Sequence, residues 1–492
     1  MASPPSADLF QPAALPTKSG AGGLVATGVW PAWQRFAFAY LACHWLLYAF
    51  PRPFDVVLGT FQRALTWVDK EFACGIVWTE RPWRWPGKWL RELGDVDVWW
   101  QQATSWMAET GLTPYEVIHQ RTGSGDTGHG WTQVLAIVVA SLVIAAAVAA
   151  AWRGTLWPVV WRWLHLLVRW DLAFTMLGYG SAKLYGSQFG ELGPTRLTTE
   201  VGDVAPMTMV GTFMQANPAY EVFGGVCEVL GGLLLFHPRT ALLGALVTFA
   251  TMANVCAINW LCDVPVKQYS AHLLLFALFL MAPWRTRLWA VFVSNRPSAP
   301  KTVAITAAPW ARWTMLVLGS LVVGTHLFLI HVQGVGEKPW LVGFEKSALY
   351  GVWQVETLRL DGQELAATDP GRWRYFAVER GKRAWTKPVA GPVQPLEFTL
   401  AADGASAAVR VMRREGAGEA ESWRLEVGTK KVPAWNPVPL RNEDRGVPIE
   451  VEVRTLKASG TWQGKPIEFV SFEKPWKLKS GFRLRQELPD FW

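Results

Sequence analysis

Eighteen consecutive residues, Leu135–Trp152 (LAIVVASLVIAAAVAAAW), carry no charge. A helix of about 20 such residues, rising 1.5 Å each, crosses the roughly 30 Å hydrocarbon core of a bilayer. In lipid a backbone must close its hydrogen bonds on itself, which leaves helices and closed barrels as the spanning folds. This run therefore commits part of the chain to a helical membrane fold. The residues Trp131–Trp152 make the full span, and similar runs predict about seven spans in all. The others are Ala32–Phe50 (stopped by Pro51-Arg52-Pro53), Trp157–Tyr185, Tyr220–Phe236, Thr240–Leu261, Tyr269–Trp284 and Trp313–Val332.

Composition agrees with a chain only partly in lipid. Hydrophobic residues make up 51% and charged residues 17%, yet the mean hydropathy is only +0.14. The 31 tryptophans suit membrane interfaces, where the indole keeps its N–H in water. The net charge of +8 is scattered or sits in loops next to the spans, with no basic run interleaved with aromatics, so nucleic acid is excluded as a partner. Arg153, Arg239 and the group Arg285, Arg287, Arg296, Lys301 and Arg312 fall on one side of a seven-span arrangement. Positive loops stay inside, so the N-terminus is expected in the cytoplasm of a multi-pass inner-membrane protein and the C-terminal region outside.

The domains expected are an Ala/Pro/Gly/Ser-rich disordered tail (1–30), the first two spans with a long Trp-rich extracytoplasmic loop (31–157), a four-helix membrane core (158–298), a basic loop with the seventh span (299–334), and a β domain (335–492). Within the long loop, Val98–Met107 reads as an amphipathic helix. Ser124-Gly125-Asp126-Thr127 reads as a cap on the second span, with Asp or Ser accepting. No Cys pair has metal or redox spacing, although Cys74 and Cys262 could share the outer side and form a disulfide. His44, His165, His272 and His326 are not at matched depths, so no haem or metal motif is present.

After Gly334 the pattern becomes alternating. VWQVETLRL, WRYFAVER, PLEFTL, SAAVRVMRR, ESWRLEVG, IEVEVRTL, GTWQG, PIEFVSF and GFRLRQEL read as strands punctuated by turns such as Asp361-Gly362 and Asp403-Gly404. An antiparallel β-barrel or sandwich is expected; Gly351-x-Trp353 on the first strand, with Arg483 or Arg485 on the last, resembles the Trp–Arg clasp that closes lipocalin-like barrels, which makes a lipocalin-like barrel the expected form.

The functional reading starts from charge in the membrane. A charged side chain at bilayer depth costs about 3 kcal/mol, so it turns inward and finds a partner. Glu221 and Glu228 are seven residues apart, on one helical face. With Tyr179, Lys183, Asn254, Asn259, Asp263, Lys267 and His272, they are expected around one polar pocket open to the outside. Glu228, Lys183 and Asp263 are the candidate catalytic residues and the others substrate-binding. The competing reading is that these groups only hydrogen-bond helix to helix. Arg162, His165 and Arg169 are expected to snorkel to the inner interface. Gly224, Gly225, Gly231 and Gly232 would let helices approach closely, and no inverted repeat points to a transporter.

The stretch Leu172–Pro297 resembles the DoxX family of four-helix membrane proteins. The resemblance rests on Tyr179-Gly180-x-x-Lys183-Leu184, Gly202-Asp203-x-x-Pro206-Met207, Phe223-Gly224-Gly225-x-x-Glu228, Met252-x-Asn254-Val255, Asp263-Val264-Pro265-Val266-Lys267 and Ser270-x-His272-Leu273-Leu274. A longer subgroup with a β-rich tail also resembles the rest of the chain, although this one ends Asp490-Phe491-Trp492. The resemblance implies quinone- or sulfur-linked redox chemistry, with a membrane or extracytoplasmic partner protein and no family-wide catalytic residue. The leading expectation is a membrane component of a redox system acting on a quinone or small thiol-type substrate. The alternative is a non-enzymatic binding or assembly factor whose barrel captures a lipid, a small ligand or a partner protein.

Overall fold

A computed structural model of the chain describes residues 31–49, 59–60, 63–68, 71, 96–119, 124–152, 157–298, 309–336, 346–413, 416–435 and 448–474. The 1–30 tail, about half of the Trp-rich loop, Cys74, and the last predicted strand GFRLRQEL with Arg483 and Arg485 lie outside these residues. The described helices are α1 (Ala32–Ala49), α2 (Val96–Glu109), α3 (Gly128–Ala151), α4 (Trp157–Leu184), α5 (Pro194–Thr198), α6 (Pro206–Ala216), α7 (Pro218–Phe236), α8 (Ala241–Leu261), α9 (Lys267–Met281), α10 (Arg285–Phe292) and α11 (Pro309–Gly336).

Among the described residues, four helical stretches are long and apolar enough to cross a membrane: Gly128–Ala151, Pro218–Phe236, Ala241–Leu261 and Lys267–Phe292. Helices also form at the other three predicted spans, but they are not among those four. Arg162, Arg169, Asp171 and Lys183 interrupt the apolarity of α4, and α11 offers the shorter apolar stretch Val317–Val332. The amphipathic helix predicted near Val98 is α2. The cap on α3 is Thr127, whose hydroxyl accepts from the Gly130 N–H at 3.1 Å, whereas the Ser124 hydroxyl accepts from the Asp126 N–H within the preceding turn. The expectation of an Asp or Ser cap is thus corrected by one residue.

The chain divides into two compact units. One consists of residues 1–173, 235–245 and 275–322. In it α1 packs along α3, and the Phe38 ring meets Trp157 and Trp161 edge-on at 5.7 Å each. His165 and Arg169 are buried in this unit, so the snorkelling expected of them is not seen. The Nε2 atom of His165 lies 3.1 Å from the carbonyl oxygen of Leu280, which gives the ring a partner inside the protein. The buried Asp171 carboxylate accepts from the Trp45 indole at 3.2 Å, a contact that sequence reading missed.

The second unit, residues 174–234, 246–274 and 323–492, includes the β domain. Its strands are β1 (Gly351–Leu360), β2 (Gln363–Glu364), β3 (Trp373–Val378), β4 (Arg383–Pro388), β5 (Gln394–Leu400), β6 (Ser406–Arg413), β7 (Gly416–Ala417), β8 (Glu421–Trp435), β9 (Pro448–Trp462) and β10 (Lys465–Glu473). Apart from the two-residue β2 and β7, each strand pairs antiparallel with its chain neighbours, and β10 returns to β1. The result is a closed eight-stranded up-and-down barrel, the arrangement of lipocalins. Asp361-Gly362 and Gln463-Gly464 turn with positive φ at both residues, as the tightest hairpins require. GTWQG is therefore the end of β9 plus a turn rather than a separate strand. Gly460 stays inside β9 because a Cβ there would lie 2.4 Å from the Ser422 carbonyl oxygen and 2.7 Å from the Trp423 ring.

The barrel interior is filled by its own side chains. Trp353, Trp373, Phe376, Phe398, Trp423, Trp462 and Phe469 are all buried in one cluster. Trp353 donates to the Leu349 carbonyl at 2.9 Å, and Arg454 of β9 lies over its ring at 5.2 Å. Arg454 also donates to Glu473 at 2.8 Å and to the Ala348 carbonyl. Among the described residues, the arginine that clasps Trp353 thus comes from β9. Val352, Tyr375, Ala377 and Trp385, on the outer face, are buried too, where α5 packs against β1 and β3.

Candidate functional site

All nine predicted site residues belong to the unit that contains the barrel. The site is built where α4 and α7 touch. A Cβ on Gly225 would stand 2.7 Å from the Gly180 carbonyl oxygen and 2.9 Å from Lys183 Cβ, and one on Gly180 would meet Val229 at 2.7 Å. Only glycine allows the two backbones this close. Three residues beyond each glycine, Lys183 of α4 reaches Glu228 of α7. The ammonium lies 2.7 Å from one carboxylate oxygen and 2.6 Å from the other. Both are buried, Lys183 at 8% exposure and Glu228 at 2%. Of the other predicted close-approach glycines, Gly231 abuts Thr248 of α8, while a Cβ on Gly224 would only touch Lys183 at 3.7 Å.

This crossing gives a sharp contrast between neighbouring positions. Gly225→Ala is expected to cost about 1–3 kcal/mol through overpacking, while Gly224→Ala costs little. Thermal unfolding of the two detergent-purified variants checks it, and equal melting temperatures would contradict the close crossing.

Glu221, two turns before Glu228, is buried as well. It lies beside the Phe189 backbone N–H, and its Oε1 has no hydrogen-bond partner among the described residues. The Phe189 carbonyl is in turn held by the Gln215 amide at 2.8 Å. The ion pair and Glu221 therefore form one polar cluster on the inward face of α7, as the seven-residue spacing predicts.

The remaining residues do not all join it. Asp263 and Lys267 make their own pair at 2.7 Å in the turn between α8 and α9. There Asp263 takes a positive φ of 54° and its side chain is 81% exposed. Asn259 is buried just before this turn, and its carbonyl accepts from the Val264 N–H at 3.0 Å. His272 is buried with its Nδ1 2.7 Å from the Gln268 carbonyl, a bond within its own helix. Tyr179 is exposed and its ring lies 6.1 Å from that of Tyr269. Asn254 is exposed, so it does not face inward beside Glu228 as expected. Among the described residues Cys262 has no disulfide partner, and Cys74 lies outside them.

A second polar constellation was invisible in sequence. The connection between α4 and α6 is fastened to the tip of the β3–β4 hairpin. Glu379 accepts from both the N–H (2.8 Å) and the hydroxyl of Thr195, at the start of α5. Glu191 pairs with Arg380 and, at 3.2 Å, with Lys346. Burial pushes the Glu191 carboxyl up, but these two cations outweigh it and hold it below its ordinary value. Arg374 approaches Glu200 at 3.5 Å.

No family model matches the chain, and no solved structure does. One curated relative is the "Uncharacterized protein YwoB" of Bacillus subtilis (strain 168), 33% identical over 139 residues, which make up 28% of this chain and 88% of that protein.

Proposed function

This chain belongs to the family of YwoB, whose name carries no activity, and from the site itself we propose that it is a membrane component of a redox system. Its substrate is a quinone or small thiol-type molecule handled beside Lys183, Glu228 and Glu221. The observation that carries this reading is a bidentate, buried Lys–Glu pair next to a second buried carboxylate with an unpartnered oxygen. Burying such charges costs several kcal/mol per ion before pairing, and helix packing alone can be had more cheaply from apolar residues. In this reading the Lys183 ammonium holds a developing quinone or thiolate anion, and Glu228, once released from Lys183, takes or gives the proton. Electrons come from a membrane or extracytoplasmic partner protein when a quinone is reduced, and pass to that partner when a thiol is oxidised. The reading includes the DoxX resemblance, about seven spans, an inner-membrane location with a cytoplasmic N-terminus, and a pocket opening on the barrel side.

The test is native mass spectrometry of the detergent-extracted chain, together with quinone-linked turnover in membranes. Retained quinone, and a loss of turnover of at least tenfold in Glu228→Gln, are expected. An empty protein with no quinone-linked turnover would end the redox reading. The interior of the barrel is packed with aromatic side chains, which weighs against capture of a lipid inside it.

A further inference from the structure

We propose that the outer wall of the barrel carries a binding cleft for a small carboxylate with a flat apolar body, at the seam between β1 and β3. The ladder joining these strands covers only Gly351–Gln354 against Tyr375–Val378. Beyond Gln354 both strands are irregular. The pairing of β1 with β10 shifts between Val355 and Thr357, and that of β3 with β4 shifts between Trp373 and Tyr375. A bulge bends its strand and re-aims a side chain, here Glu356 on β1 and Arg374 on β3. Between them lies a cavity of about 540 Å³, within the size range of small-molecule sites.

Its lining is divided. Val355, Trp373, Val389 and Phe472 supply apolar surface, and Arg372 and Arg374 supply positive charge. The acidic lining residue, Glu356, is already neutralised by Lys430. Glu200 reaches Arg374 only at 3.5 Å. Arg372 donates through Nη2 to the Glu356 carbonyl, which fixes its guanidinium in place. Its buried Nε has no partner among the described residues. A carboxylate oxygen placed there gains a charge-assisted bond and completes the arginine. A planar body behind the carboxylate covers the exposed Val389. The proposal is independent of the redox reading, because no residue of the cleft belongs to the bundle site.

The experiment uses the full chain in lipid nanodiscs and fluorine NMR of 4-(trifluoromethyl)benzoate, with 4-(trifluoromethyl)benzamide as its uncharged twin and empty nanodiscs as blank. The benzoate is expected to bind at least tenfold more tightly than the amide. Arg372→Gln, whose amide can still donate to the Glu356 carbonyl, and Val389→Trp, which fills the cleft from an exposed position, are each expected to weaken the benzoate at least tenfold. Near-UV circular dichroism confirms that the barrel is intact, and Val389→Trp decides the matter if Arg372→Gln does not fold. Equal binding of acid and amide, no binding beyond the blank, or undiminished binding in folded Val389→Trp overturns the proposal.

Discussion

Lys183→Met is expected to destabilise the helical part by about 3–5 kcal/mol, because it strands the Glu228 carboxylate without its cation. Glu228 is 2% exposed and both of its oxygens are held by that one ammonium. The double variant Lys183→Met/Glu228→Leu removes both charges and is expected to regain most of the loss, since a buried ion pair and a well-packed apolar pair are often near equal in stability. Unfolding of detergent-purified protein, followed in the single variants and the double variant as a cycle, reads the coupling directly. A single-variant loss below about 1 kcal/mol, the scale of an exposed ion pair, would mean that water reaches Glu228 and that the pair is not a buried element.

Trp423→Ala is the second large effect expected, at about 3–5 kcal/mol for an aromatic removed from a packed core. Trp423 is 1% exposed, lies tilted against Trp373, Phe376 and Trp462 and meets Phe469 edge-on, with ring centres 5.5 to 6.2 Å apart. Its indole also donates to the Thr461 carbonyl at 2.8 Å. Val427→Ala, two residue pairs further along β8 at a largely exposed position, is expected to be nearly neutral. Protease susceptibility of the barrel in the intact chain compares the two. Similar susceptibility would show that the interior is not close-packed.

Much of this architecture was legible from pattern alone, and the exceptions have physical causes. The uncharged run up to Trp152 forms a helix long and apolar enough to cross a membrane, as its length and composition predict, and the alternation of VWQVETLRL forms a strand with one face on a core. β4 was missed because RAWTKP opens on Arg and closes on Lys-Pro, leaving too few apolar positions to show a period of two. Lys183, Glu221 and Glu228 were expected to turn inward because each costs too much in lipid to be left alone, and all three are buried. Asn254 was assigned to the wrong face because α8 is apolar almost all round, so its sequence does not mark which side turns inward. His165 and Arg169 were expected to reach water on chemical grounds, and what keeps them inside is packing by residues distant in the chain. The same distance hid the contacts of Glu191 and Glu379, whose partners are 189 and 184 residues away.

Those distant contacts determine how the barrel is carried. A domain joined to a membrane helix by a linker alone would swing on it. Here the hairpin tip between β3 and β4 is also held by the segment that joins α4 to α7, the two helices meeting at Gly180 and Gly225. The crossing of those helices and the hairpin tip are therefore tied through one segment, by contacts at Glu379 and Arg380 as well as by the chain itself.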